Sequence, residues 1–121
     1  MKLSHVYLFN TIVALVYALG LLILPATIMS LHGIASDPST LLMARYFGVG
    51  LLGIGLVTWF ARNSDKSQAQ DAISLGFLIS YVVGLVLSLW ATLSGQMNAV
   101  GWLPVVIYLV LIAGLGYFRS R

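Results

Sequence analysis

Four apolar stretches, each about 20 residues long and parted only by short polar or turn-forming breaks, constrain this chain more than any other feature. They fall at about residues 5–24, 41–61, 69–93 and 100–118. Each is long enough to cross a bilayer as a helix, and a chain carrying four of them has little sequence left for anything else. A soluble domain carries charge on about a quarter of its residues. Here 7% are charged and 60% hydrophobic, and the mean hydropathy is +1.02. The 121 residues are therefore expected to form one all-α domain over 1–121, a four-helix transmembrane bundle.

The breaks carry the chemistry of helix ends. In Leu31-His32-Gly33-Ile34-Ala35-Ser36-Asp37-Pro38, Gly33 suits the position after a helix C-terminus, and Asp37-Pro38 suits an N-cap followed by the first helical residue. Pro25 is expected to kink the first helix rather than end it, with the helix running on to about residue 32 along the membrane surface. Ser67 and Gln70 have the spacing of a capping box for the third span. The short Ser94–Asn98 connection makes spans 3 and 4 antiparallel neighbours.

Orientation follows from the basic residues, which are retained on the cytoplasmic side when they lie near span ends. Lys2, Arg62, Lys66, Arg119 and Arg121 share one side, which places both termini and the 62–68 loop in the cytoplasm. Arg45 is the exception, inside the other end of span 2. Tyr7, Trp59, Tyr117 and Phe118 are expected at the inner interface, and Tyr46, Trp90 and Trp102 near the outer one. Lys2 ahead of an apolar run resembles the start of a signal peptide. That run is too long for one and no small-x-small cleavage site follows, so the segment is read as a retained span.

Small residues supply the packing surface. Span 3 repeats Ala72, Gly76, Ser80, Gly84, Ser88 and Thr92 at four-residue intervals, and span 2 carries Ala44, Gly48, Gly50, Gly53 and Gly55. Small side chains let helix backbones approach closely where lipid gives no hydrophobic reason to associate. A four-residue step overshoots a full turn by about 40°. The span 3 row therefore winds around the helix and is expected to serve two contacts, one near each leaflet. Gly48-Val49-Gly50-Leu51-Leu52-Gly53 spells a dinucleotide fingerprint, but mid-span, with no strand before it and no helix N-terminus to hold an anion.

Chemistry is scarce. With no cysteine there is no thiolate to ligate zinc, an iron–sulfur cluster or haem, and no disulfide. His5 and His32 stand at opposite ends of span 1, so one chain cannot place both on a haem. No glutamate is present and Asp37, Asp65 and Asp71 sit at span ends or in loops, which disfavours proton coupling through a membrane carboxylate. No Ser/His/Asp set converges at one depth, so no catalytic residue, metal site or cofactor is assigned and the chain is read as a non-enzyme. A net charge of +3 suits anionic lipid and gives no reason to invoke nucleic acid.

The candidate polar site consists of Arg45, Asn10, His32 and the mid-span tyrosines Tyr17, Tyr81 and Tyr108. Arg45 is expected either to snorkel toward lipid phosphate or to pair with Asp37; His32, Gln96 and Asn98 are read first as ordinary wet loop residues, the alternative being a small polar vestibule formed with Arg45. Asn10 would bond across to a neighbouring helix. The three rings would fill the bundle centre over Gly50 or Gly53, with hydroxyls bonded to Ser80 or a backbone carbonyl.

Leu24-Pro25, Leu31-His32-Gly33, Ala44-Arg45-Tyr46-Phe47-Gly48, Leu52-Gly53-Ile54-Gly55 and Trp59-Phe60-Ala61-Arg62, with Gly101-Trp102, Tyr108 and Tyr117-Phe118 near the end, give a pattern that resembles the DoxX-like collection of small four-helix bacterial membrane proteins over nearly the whole chain. The resemblance implies a four-helix bundle in the bacterial plasma membrane, the inner membrane where there are two. Abundant packing surface and little chemistry lead to the functional expectation: an accessory or scaffolding protein that contacts lipid and associates with itself or with other integral membrane subunits. The alternative is a small transport protein, or a binder of a flat lipophilic ligand such as a quinone or carotenoid-like molecule.

Overall fold

The computed structural model describes residues 2–64 and 67–119, and among these every regular element is helical. Lys66 and Arg121, used above to orient the chain, and Asp65 lie outside the described residues. The elements are α1 (Leu3–Ile23), α2 (Pro25–Leu31), α3 (Pro38–Ala61), α4 (Gln68–Leu93), a single 3-10 turn (Ala99–Gly101) and α5 (Trp102–Arg119). α1, α3, α4 and the turn with α5 are each long and apolar enough to span a bilayer. The chain is a small multi-pass membrane protein built as a four-helix bundle.

Helix ends follow local chemistry. The Asp37 carboxylate accepts from the backbone N–H of Thr40 at 2.8 Å and from its hydroxyl at 3.0 Å, and Pro38 begins α3. Ser67 Oγ accepts from the Gln70 N–H at 3.1 Å. The Gln70 side chain does not return the bond as a capping box would; it donates to the carbonyl of Ser64 at 3.0 Å and to its hydroxyl at 3.2 Å. Gly33 and Gly95 have φ of 73° and 84°, the left-handed conformation that closes the connections after α2 and α4.

The expected kink at Pro25 is corrected to a break. α1 stops at Ile23, Leu24 takes φ −128° and ψ 56°, and α2 is a separate helix that folds back on α1. The reversal brings His32 to 3.2 Å from the Tyr17 hydroxyl, although a continuous helix would part residues 15 apart by about 22 Å. The physical reason is that proline offers no N–H to the preceding turn and disfavours helical backbone at the residue before it.

α1 packs chiefly on α3, and α4 on α5, giving two antiparallel hairpins. Val6, Tyr7, Tyr81, Leu111 and Leu115 form the buried cluster that joins them. Close approach is built on particular glycines. A Cβ on Gly114 would stand 2.9 Å from Val6 Cγ2, so α1 and α5 touch backbone to side chain there. Gly48 and Gly55 lie seven residues apart, on one face of α3, against α1: a Cβ on Gly48 would meet the Ala18 carbonyl at 3.2 Å, and one on Gly55 Leu15 at 2.8 Å.

Candidate functional site

Seven polar residues of α1, α3 and α4, Tyr7, Asn10, Thr11, Thr58, Gln70, Ser74 and Tyr81, converge into a ladder that crosses the interface between the two hairpins. Starting from the loop that joins α3 to α4, Gln70 is tied to Ser64, and its carbonyl accepts from the Tyr7 hydroxyl at 3.3 Å. That hydroxyl also shares a 2.6 Å bond with Ser74 Oγ. Thr11 Oγ1 donates to the Tyr7 carbonyl at 2.9 Å and lies 2.8 Å from Thr58 Oγ1, which is fully buried and also within reach of the Ile54 and Gly55 carbonyls. Asn10 completes the ladder: Nδ2 donates to Thr58 Oγ1 at 3.4 Å, and Oδ1 accepts from the Tyr81 hydroxyl at 2.7 Å.

These residues are inward-facing for a local reason. Tyr7, Asn10, Thr11, Ala14, Ala18 and Leu21 recur at three- and four-residue spacing on α1 and define its one buried stripe. Ser74 and Tyr81, seven residues apart, lie two turns apart on the matching face of α4. Unpaired polar groups in hydrocarbon cost several kcal/mol each, so the mutual satisfaction of the ladder is a condition of burying it.

Beyond Tyr81 the site becomes aromatic. Tyr81 stacks on Phe77 with centroids 5.8 Å apart and lies 5.7 Å from the Tyr108 ring. Tyr108 covers Gly84, where a Cβ would stand 2.6 Å from its Cζ. At the end of the bundle that carries α2, His32 is buried, with Nδ1 2.9 Å from the Ile28 carbonyl and Nε2 3.2 Å from the Tyr17 hydroxyl. The first contact makes Nδ1 the protonated nitrogen and Tyr17 the donor to Nε2. The His32 carbonyl accepts from the Asn98 N–H at 3.0 Å, and Asn98 Nδ2 reaches the Leu31 carbonyl at 3.2 Å, so the two hairpins are also joined here.

Several expectations are corrected. Tyr7 is not an interfacial ring; it is 1% exposed and anchors the ladder. The tyrosines do not stack over Gly50 or Gly53, since a Cβ at either position would meet nothing within 4 Å; Gly84 is the glycine that receives a ring. With Gly48 facing α1, Gly50 lies about 200° and Gly53 about 140° around the helix, so both point away from that contact. Tyr81 bonds to Asn10 rather than to Ser80, which is exposed. In the small-residue row of α4, Gly84 and the buried Ser88 are enclosed, whereas Ala72, Gly76 and Ser80 face outward. Ala44 is half-buried. Arg45 joins neither the vestibule nor Asp37: its Nε lies 3.4 Å from the Leu22 carbonyl at the end of α1.

Tyr7, Thr11, Thr58, Gln70 and Ser74 are ladder members that the sequence reading passed over. A usable signal was present: Thr58 and Ser74 are hydroxyls inside apolar spans at depths matching Thr11 and Tyr7. Thr92 Oγ1 is buried with no hydrogen-bond partner and faces Gly101, whose Cβ, if present, would stand 2.6 Å away. Among the described residues no three His, Cys, Asp or Glu side chains lie close enough to hold a metal ion.

Comparison with curated proteins and with solved structures gives no match. The family described as a domain of unknown function, DUF8292, matches residues 1–118, and the chain belongs to that family.

Proposed function

We propose that this protein is a small accessory or scaffolding subunit of a bacterial plasma membrane, associating with itself or with other integral membrane chains through the small-residue faces of α3 and α4. One observation carries the reading. Gly50, Gly53 and Gly76 have nothing within 4 Å of where a side chain would begin, so these faces are open to a partner backbone. Helix association in lipid depends on such close approach. The inward polar groups, by contrast, are largely occupied with one another.

Blocking the faces tests this. Gly76→Leu and Gly53→Leu should shrink the detergent-extracted particle toward the monomer without lowering its melting temperature, because a Cβ at either position meets nothing within 4 Å in the folded chain. An unchanged particle mass in both variants contradicts the proposal.

The same reading places both termini and the α3–α4 loop in the cytoplasm, on the strength of Lys2, Arg62 and Lys66, and takes the DoxX-like resemblance as kinship. Because the chain has no cysteine, a Cys placed at Ser64 or at Gln96 reports the side directly. Membrane-impermeant maleimide should label intact cells at position 96 and not at 64. A second reading, a binder of a flat lipophilic molecule, would use the exposed apolar face that Val82, Val83, Val86, Leu87 and Trp90 present on α4. A chromophore that co-purifies with the protein would support it.

A further inference from the structure

The position of Arg45 carries an inference that goes beyond association. α1, with 21 residues, is about 31 Å long, the thickness of a hydrocarbon core, so its ends mark the two boundaries of the bilayer. Gly48 stands level with the last turn of α1, where a Cβ would meet Leu21 Cβ at 3.2 Å and Leu22 Cγ at 3.1 Å. Arg45, nearly one turn nearer the start of α3, is therefore level with the end of α1. Pro38–Ala44 continues about 10 Å beyond that plane. Arg45 thus lies at the level of the lipid headgroups and not in the apolar interior. Other side chains at this end agree: Tyr46, Trp90 and Trp102 are 64%, 56% and 44% exposed, as an interfacial belt requires.

At this level the guanidinium is half used. Nε lies 3.4 Å from the Leu22 carbonyl, a group left without a helical partner by the break at Leu24, and the charge sits at the negative end of the α1 dipole. The two terminal nitrogens form the planar fork that matches two phosphate oxygens. Arg45 is exposed, and the residues that follow Leu22, Ile23 and Leu24, are 68% and 56% exposed, so no other part of the chain covers the surface beside it. The acidic residue of the same element, Asp37, is engaged by Thr40. We propose that Arg45 is a phosphodiester-binding site: its Nη atoms hold the phosphate of a phospholipid in the leaflet on the α2 side while Nε caps α1.

Solid-state NMR tests this on the full chain. A variant with Arg62→Lys, Arg119→Lys and Arg121→Lys keeps Arg45 as the single arginine, so that one 13C-labelled guanidinium is observed. In phospholipid bilayers in phosphate-free buffer, Arg45 Cζ should be dephased by 31P to the extent expected for a carbon–phosphorus distance of about 4 Å. In maltoside micelles supplemented with inorganic phosphate it should not be. Absence of dephasing in the bilayer overturns the proposal. Dephasing in both samples also overturns it, since the site would then take free phosphate without requiring a lipid.

Discussion

The hydroxyl of Tyr81 on α4 donates to the amide oxygen of Asn10 on α1 at 2.7 Å, while the same amide donates to Thr58 on α3 at 3.4 Å. One buried side chain thereby ties three of the four spans together, about two turns inside the start of α1. The bond should be visible as a coupling: in a double-mutant cycle of Tyr81→Phe and Asn10→Leu, followed by reversible unfolding in micelles, about 0.6–1.7 kcal/mol is expected between the two sites. A coupling near zero would mean that Asn10 finds an equal partner without Tyr81.

Two glycines of the same row, Gly76 and Gly84, eight residues and about two turns apart on α4, should respond oppositely to an added methyl. At Gly84 the new Cβ would lie 2.6 Å from Tyr108 Cζ, and a tyrosine ring cannot flex away as an aliphatic tip can. Gly84→Ala should lower the thermal midpoint by the equivalent of about 1–3 kcal/mol. Gly76→Ala should be neutral, or stabilising by up to about 1 kcal/mol, because alanine is the better helix former and the site is open.

The join between the hairpins at the α2 end depends on a left-handed residue. Gly33 has φ 73°, and the Asn98 Cβ would lie 3.0 Å from a side chain there. Gly33→Ala is therefore both strained and crowded, and should cost about 1 kcal/mol or more. Hydrogen exchange should report it as faster opening of the backbone amides of His32 and Asn98.

Acid should loosen the start of α3. The Thr40 backbone N–H and hydroxyl hold the Asp37 carboxyl below its usual range. A depressed folded value means that the cap contributes fully above the ordinary value of 3.8 and is lost as pH falls through the folded one. Asp37→Asn keeps an acceptor for the cap and removes the charge. The stability gap between wild type and this variant should accordingly close as pH drops below about 3.8. A gap that is constant over that range would contradict the assignment.

How much of this could be read in the sequence divides along physical lines. Spans, breaks and caps were legible because lipid demands about 20 apolar residues and because Asp37-Pro38, Gly33 and Ser67 act through local backbone chemistry. The pairing of polar groups was not. Asn10 and Tyr81 are 71 positions apart, and which of several partners an amide finds depends on how helices rotate about their axes. For the same reason Gly48 and Gly55 could not be separated from Gly50 and Gly53 until α1 was seen to occupy only one face of α3. Pro25 signalled a disturbance in the helix, but its size, a reversal rather than a bend, was set by the tertiary anchors Tyr17 and Asn98 that hold α2 down.

The most direct test of the scaffolding account is the mass and subunit content of the particle extracted from native membranes in a mild detergent. The account predicts a homo-oligomer, or a larger particle containing other integral membrane chains. A monomer of 13.1 kDa carrying only detergent and lipid would contradict it.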